Sequence, residues 1–213
     1  MTLSRDRRHS PQVQPERPGP MSLHSRRASD PEKTAFTPLA TPRLSLVALT
    51  VEHAPAILEL AGDPEICSKM NWFPHANLAD ARHFVARALV GYAQGKHYEW
   101  GIVRRSDQVL IGTCNLGAWD PRAGSRSLGY AVSRACWQHG YATEAVAYVI
   151  RFGFVQLGLS AIDAYIFCEN TASRRVAEKL GMQRVDTRAL STEGDAVRAV
   201  DVWRLARERW LGA

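Results

Sequence analysis

The chain has 213 residues, 46% of them apolar and 23% charged, which suits one globular domain with its own core and leaves little room for a second. The formal net charge of +6 would suit an acidic or phosphate-rich partner, yet no dense basic stripe with interleaved aromatics marks a dedicated nucleic-acid binder. Cys67, Cys114, Cys136 and Cys168 are too far apart for zinc-knuckle or redox spacing, so reduced thiols in a cytoplasmic protein, with no metal, are expected. The richest apolar run, Ala142 to Leu159, is broken by Glu144 and Arg151 and is too short to span a bilayer.

Residues 1–36 hold five of the eleven prolines and seven basic against four acidic side chains, half of the whole charge excess. They carry almost no large apolar groups, so they read as a disordered basic leader to a domain over 37–213. Leu44, Leu46 and Val47 begin a short strand. Thr50 is placed to cap a helix running to Leu60, and Asp63-Pro64 marks a break. Asn77, with Asp80 three residues on, caps a longer helix that keeps the 3.6 period from Ala81 to Tyr92 and ends at Gly95. Two antiparallel strands follow, Tyr98 to Val103 and Val109 to Leu116, joined by a turn at Arg105–Gln108. After a turn at Asp120–Gly124 comes a strand from Ser127 to Val132. A long helix from Thr143 to about Leu157, a strand from Ile162 to Phe167, a helix from Thr171 to Leu180 and a last β region including Ala199 to Leu205 complete the chain. The order β-α-α-β-β-β-α-β-α-β implies an α+β fold with a mixed, largely antiparallel sheet.

The informative unit is a strand, a glycine turn and a helix: Leu128-Gly129-Tyr130-Ala131-Val132, then Trp137-Gln138-His139-Gly140-Tyr141-Ala142, then Thr143-Glu144-Ala145. A helix start leaves N–H groups unpaired and pointing one way, the small residues Gly140 and Ala142 let a ligand come close, and the helix dipole favours negative charge. Together they make a seat for a pyrophosphate. About thirty residues later Asn170 to Met182 forms an asparagine-capped helix closed by Gly181.

With Thr41-Pro42-Arg43-Leu44 and Ile111-Gly112, these segments in this order resemble the Gcn5-related N-acetyltransferase (GNAT) family, and within it the ribosomal-protein N-terminal acetyltransferase branch. The resemblance covers about Thr41 to Trp210 and implies acetyl-CoA as cosubstrate, lying where two adjacent strands splay apart. It implies coenzyme contacts from Tyr130, Ala131, Val132, Gln138, His139, Gly140, Tyr141, Ala142, Thr143 and Asn170. Arg134, His139 and Arg174 are candidate phosphate neighbours, each equally placed to be a solvated surface charge. Trp137 stands where the family has Gln or Arg, and Gln138 where the branch often has glycine. The resemblance further implies direct attack by an amine, with no acyl-enzyme.

Candidate general bases are Glu193, in the family's late loop, and Glu99 on the second strand. Ser173 matches a serine assigned to the leaving thiolate, whereas the tyrosine that many relatives use for that step is replaced by Ala177. Trp72 and Phe73, in the loop after the first helix, are expected to line the acceptor pocket. The acceptor is expected to be a peptide N-terminus or a small-molecule amine, with no membrane, no direct nucleic-acid partner, and a homodimer left open. The competing reading is a catalytically silent relative that binds coenzyme A as a regulatory module.

Overall fold

The computed structural model describes residues 36–95, 97–191 and 197–212. Among these, eight strands form one sheet in the order β1-β2-β3-β4-β5-β6-β8-β7. They are β1 (Leu39–Ala40), β2 (Leu44–Ala48), β3 (Tyr98–Arg104), β4 (Val109–Asp120), β5 (Ser125–Val132), β6 (Ala161–Phe167), β7 (Gln183–Ser191) and β8 (Val197–Ala206). Every neighbouring pair is antiparallel except β5 and β6. The parallel pair needs a crossover, and α4 (Tyr141–Val155) supplies it.

The sheet has an apolar layer on each side. On one face α4 sets Phe152 edge-on against Trp100 and Tyr98, in a core with Leu116, Leu128 and Ile162. On the other, α1 (Ala54–Gly62) and α3 (Leu78–Gln94) bury Ile57, Ala81, Val85 and Ala88 with Leu49. The short α2 (Pro64–Cys67) links α1 to the loop before α3, α5 (Thr171–Lys179) follows β6, and α6 (Arg207–Leu211) ends the described chain.

Local signals account for most boundaries. Asn77 Oδ1 accepts from the Ala79 and Asp80 N–H groups, and Gly95 closes α3 at φ 61°, where only glycine sits without strain. Asp80 reaches back to the Ala76 N–H at 2.8 Å rather than to its own cap, a capping box displaced by one residue. Asp63-Pro64 does break α1, but it also starts α2: Asp63 Oδ1 takes the Glu65 N–H at 2.9 Å, and a proline at the first helical position costs no hydrogen bond. The first turn after Thr50 is a 3-10 turn, Val51–His53. The α4 helix begins at Tyr141, two residues ahead of expectation, because Gly140 in the left-handed region (φ 78°) acts as its cap. Among the described residues no helix is long and apolar enough to cross a membrane.

Candidate active site

The parallel pairing of β5 and β6 runs from Ser125↔Ala161 to Leu128↔Ala164 and stops. Beyond it, Gly129 to Val132 stay paired with β4, while Tyr165 to Phe167 stay paired with β8. The two central strands therefore part at Leu128, and one edge of β5 carrying Tyr130, Ala131 and Val132 has no strand beside it. An extended amide-bearing chain can pair with such an edge as a further strand would.

The segment after β5 turns sharply through a 3-10 turn (Arg134–Cys136) and through left-handed backbone at Gln138 (φ 64°) and Gly140. Gly140 offers α4 no side-chain cap, and the N–H groups of Tyr141, Ala142 and Thr143 have no acceptor among the described residues. Three free donors on a helix dipole beside a strand opening suit a pyrophosphate. Trp137, at the family's Gln/Arg position, donates its indole N–H to the Val132 carbonyl at 2.7 Å and lies under the Lys69 ammonium. It thus pins the end of the β5 edge and joins the turn to the segment after α2.

The expected phosphate neighbours already have partners within the protein. Arg134 bonds Asp63 Oδ2 at 2.6 Å and Glu65 at 3.2 Å, tying the turn to α2. Arg174 donates to the Cys168 carbonyl at 3.2 Å and lies 3.7 Å from Asp201. Asp201 is buried. Although burial works against it, hydrogen bonds from Thr187 and Arg184 hold its carboxyl below the ordinary aspartate value. His139 is exposed, with Nδ1 at 2.7 Å from the Trp137 carbonyl and its ring stacked on Tyr141.

Across the opening, Asn170 is buried and its Oδ1 accepts the Ser173 N–H at 3.1 Å, capping α5. Ser173 also stands beside the Tyr130 phenol. That phenol is buried without a partner of hydrogen-bond geometry among the described residues. Burial, only partly offset by Ser173, pushes its pKa up to about 12. A phenol so shifted stays protonated at neutral pH and holds its proton more tightly than an ordinary one, so it acts as a hydrogen-bond donor. Sequence reasoning assigned Tyr130 to coenzyme contact alone; the nearness of Ser173, 43 positions away in the chain, is visible only in the fold. Ala177, where relatives carry a tyrosine, is buried against the core.

Trp72 and Phe73 line a groove of about 310 Å³ together with Pro64, Cys67, Met70 and Arg198. Trp72 also packs beside Leu60, Ile66 and Ala131, which brings the groove to the open β5 edge. A smaller cavity of about 70 Å³ lies behind it, walled by Trp72, His75, Phe84 and Thr113. Trp72 Nε1 and His75 Nδ1 are both buried there without a partner among the described residues. Burial chiefly, with Arg87 adding to it and Asp80 opposing, lowers the His75 pKa. Sequence reasoning placed His75 in the acceptor loop, Met70 to His75, but singled out only Trp72 and Phe73, since no motif marks the histidine. Glu99 is buried with Oε2 3.1 Å from His97 Nε2. It pairs with Asn115 of β4, which in turn pairs with Gly129 of β5, so its backbone stands two strands, roughly 10 Å, from the opening. Its Oε1 is buried without a partner among the described residues. Glu193 lies outside the described residues.

The sequence profile of the acetyltransferase (GNAT) domain matches residues 43–183. An uncharacterized N-acetyltransferase, p20 of Bacillus licheniformis, is 31% identical over 146 residues, 68% of this chain and 82% of p20. An acetyltransferase structure of the GNAT family from Bacillus anthracis superposes with a TM-score of 0.72 at 20% identity, over 81% of this chain and 99% of that one. The ribosomal L7/L12 α-N-protein acetyltransferase RimL, in complex with coenzyme A, superposes with a TM-score of 0.71 at 16% identity, over 80% and 98%. A profile match over more than half of the chain, on a fold whose central strands part beside an uncapped helix start, establishes that this chain belongs to the GNAT acetyltransferase family.

Proposed function

We propose that this protein transfers the acetyl group of acetyl-CoA to a primary amine, with a protein N-terminus or a small molecule as acceptor, by direct attack. The observation that carries the reading is the free β5 edge from Gly129 to Val132 leading straight into the unpaired N–H groups of Tyr141 to Thr143. The edge suits the amide-bearing pantetheine arm and the helix start suits the pyrophosphate. The acceptor amine enters through the Trp72–Phe73 groove. Its nitrogen forms the new bond to the carbonyl carbon, the carbon–sulfur bond breaks, and the proton the amine sheds passes to solvent water. An N–H of the β5 edge polarises the thioester carbonyl as charge builds on its oxygen. Ser173, backed by the protonated Tyr130, returns a proton to the leaving thiolate, the task for which Ala177 is unequipped.

Groove chemistry favours an α-amine over a lysine. A lysine of pKa about 10.4 reaches the neutral state only with a base, whereas an α-amino group near 7.7–8.0 is substantially neutral already. The described groove wall offers no carboxylate, and its Arg198 is already paired with Glu169. The likeness to a coenzyme A-bound L7/L12 α-N-acetyltransferase points the same way, toward the ribosomal-protein branch and a cytoplasmic setting. The test is coenzyme A thiol release with acetyl-CoA and a panel of N-terminal peptides, lysine peptides and small amines, with mass spectrometry of the products. Acetylated N-termini or small amines support the reading. Tight coenzyme binding without acetylation of any amine overturns it in favour of a silent coenzyme-binding relative.

A further inference from the structure

One carboxylate at the coenzyme turn is held by a segment more than a hundred residues away. Glu144 lies in the first turn of α4, where its charge opposes an incoming pyrophosphate. Thr41 Oγ1 donates to its Oε1 at 2.6 Å, the Arg43 N–H donates to the same oxygen at 2.9 Å, and Arg43 Nε donates to Oε2 at 2.6 Å. Burial works the other way, yet these bonds hold the Glu144 carboxyl below its ordinary range. The same guanidinium lies 4.6 Å from the Tyr141 ring centre, and through Nη1 it donates to the His139 carbonyl at 2.9 Å.

That last bond sets an orientation. In a trans peptide the carbonyl of one residue and the N–H of the next point in opposite directions. Fixing the His139 oxygen on Arg43 therefore turns the Gly140 N–H to the far side of the turn. The flanking backbone at Gln138 and Gly140 is left-handed, a conformation that Gln138 as a non-glycine residue does not adopt freely. A peptide plane between two such residues has other orientations open to it and needs an external hold.

We propose that Arg43 is a positioning residue of the coenzyme turn: clamped on Glu144, it holds the His139 carbonyl so that the Gly140 N–H joins those of Tyr141 to Thr143 in one anion-binding face. The inference rests on the coenzyme seat proposed above. Glu144 then has a role opposite to its charge. It keeps Arg43 in place, and the ligand gains more from the ordered turn than it loses to the carboxylate, which the guanidinium neutralises.

The sign of one substitution decides the matter. Binding of coenzyme A is measured by titration calorimetry for the wild type, Glu144→Gln, Arg43→Gln, the double variant and Thr41→Val, with thermal melts for each. If Glu144 acts only as a negative charge, its removal tightens binding of an anion. If it holds Arg43, Glu144→Gln weakens binding by about tenfold, the loss of one charge-assisted hydrogen bond, while Arg43→Gln weakens it at least as much. The double variant then falls no further than Arg43→Gln, since both act through one contact. Thr41→Val, which touches the clamp but neither the ligand nor the turn, gives a smaller loss in the same direction; because Thr41 Oγ1 also accepts the Leu44 N–H, its melting temperature falls, and its binding is measured well below that transition. Unchanged or tighter binding by Glu144→Gln, or losses that add in the double variant, overturns the proposal and leaves the coenzyme seat standing. No saturable binding by the wild type overturns both.

Discussion

Gly112 of β4 is the position where a single methyl group does the most damage to the opening. A Cβ there would lie 2.3 Å from the Ala131 carbonyl oxygen and 3.1 Å from the Val132 Cα. Both are backbone atoms of β5, so no side chain can swing away. Bringing a carbon and an oxygen to ordinary contact at about 3.2–3.4 Å, on the pattern of close-packed interiors, requires the strands to part by nearly 1 Å. The neighbouring ladder bonds of the Gly112↔Val132 and Thr113↔Ala131 pairs then stretch past useful length. Two such bonds at about 1 kcal/mol each and overpacking of about 1–3 kcal/mol give roughly 3–5 kcal/mol, a large share of a domain's total stability. Thermal and urea unfolding of Gly112→Ala followed by circular dichroism measures the loss. Gly158→Ala is the control: it has positive φ (65°) and nothing within 4 Å, so it should cost only about 1–2 kcal/mol. A Gly112→Ala protein as stable as the control refutes the reasoning, because it would mean the strands separate freely at the coenzyme edge.

Three further outcomes follow from the site. Tyr130→Phe should leave coenzyme A affinity within about twofold but lower kcat by about 10- to 100-fold, at or below the bottom of the range for a proton-transfer group because Tyr130 acts through Ser173; an unchanged kcat removes Tyr130 from the thiolate step. Trp72→Ala should raise the acceptor KM by about tenfold or more, the cost of losing one wall contact, with acetyl-CoA binding intact in calorimetry; equal losses for both ligands would show that Trp72 holds the fold and not the acceptor. Asp201, held below its ordinary value by hydrogen bonds from Thr187 and Arg184, contributes stability above the unfolded aspartate pKa of about 3.9 that is lost as pH falls through its lower folded value. Urea midpoints measured from pH 6 to pH 2.5 should therefore show a shallower acid limb for Asp201→Asn than for the wild type, and parallel limbs contradict the assignment.

What the sequence made readable was local. Asn77, Gly95, Asn170 and Gly181 mark helix ends because their side chains or their freedom in φ act within a few residues of themselves. The glycine turn before α4 was readable for the same reason, and the left-handed backbone at Gln138 agrees with the glycine that the family resemblance puts there. Short or unpatterned elements were not. The four-residue α2 and five-residue α6 are too brief for a helical period. Strand β7, almost wholly exposed, lacks the apolar alternation by which strands are recognised. Long-range partnerships were also invisible: Tyr130 beside Ser173, Arg43 on Glu144, Asp63 shared between the α2 cap and Arg134. Arg134 and Arg174 illustrate the limit from the other side. Both are cations near the expected phosphate seat in the chain, and the fold sets each beside a carboxylate. No sequence pattern distinguishes a free arginine from one already engaged.

The most direct test of the account is a backbone-amide NMR titration of the protein with acetyl-CoA. The account predicts saturable shifts concentrated on Gly129 to Val132, on Gly140 to Thr143 and on Ser173, because pantetheine pairs with the β5 edge, the pyrophosphate takes the helix-start N–H groups and the thioester lies by the serine. Shifts confined to other surfaces, or none at saturating acetyl-CoA, would contradict it.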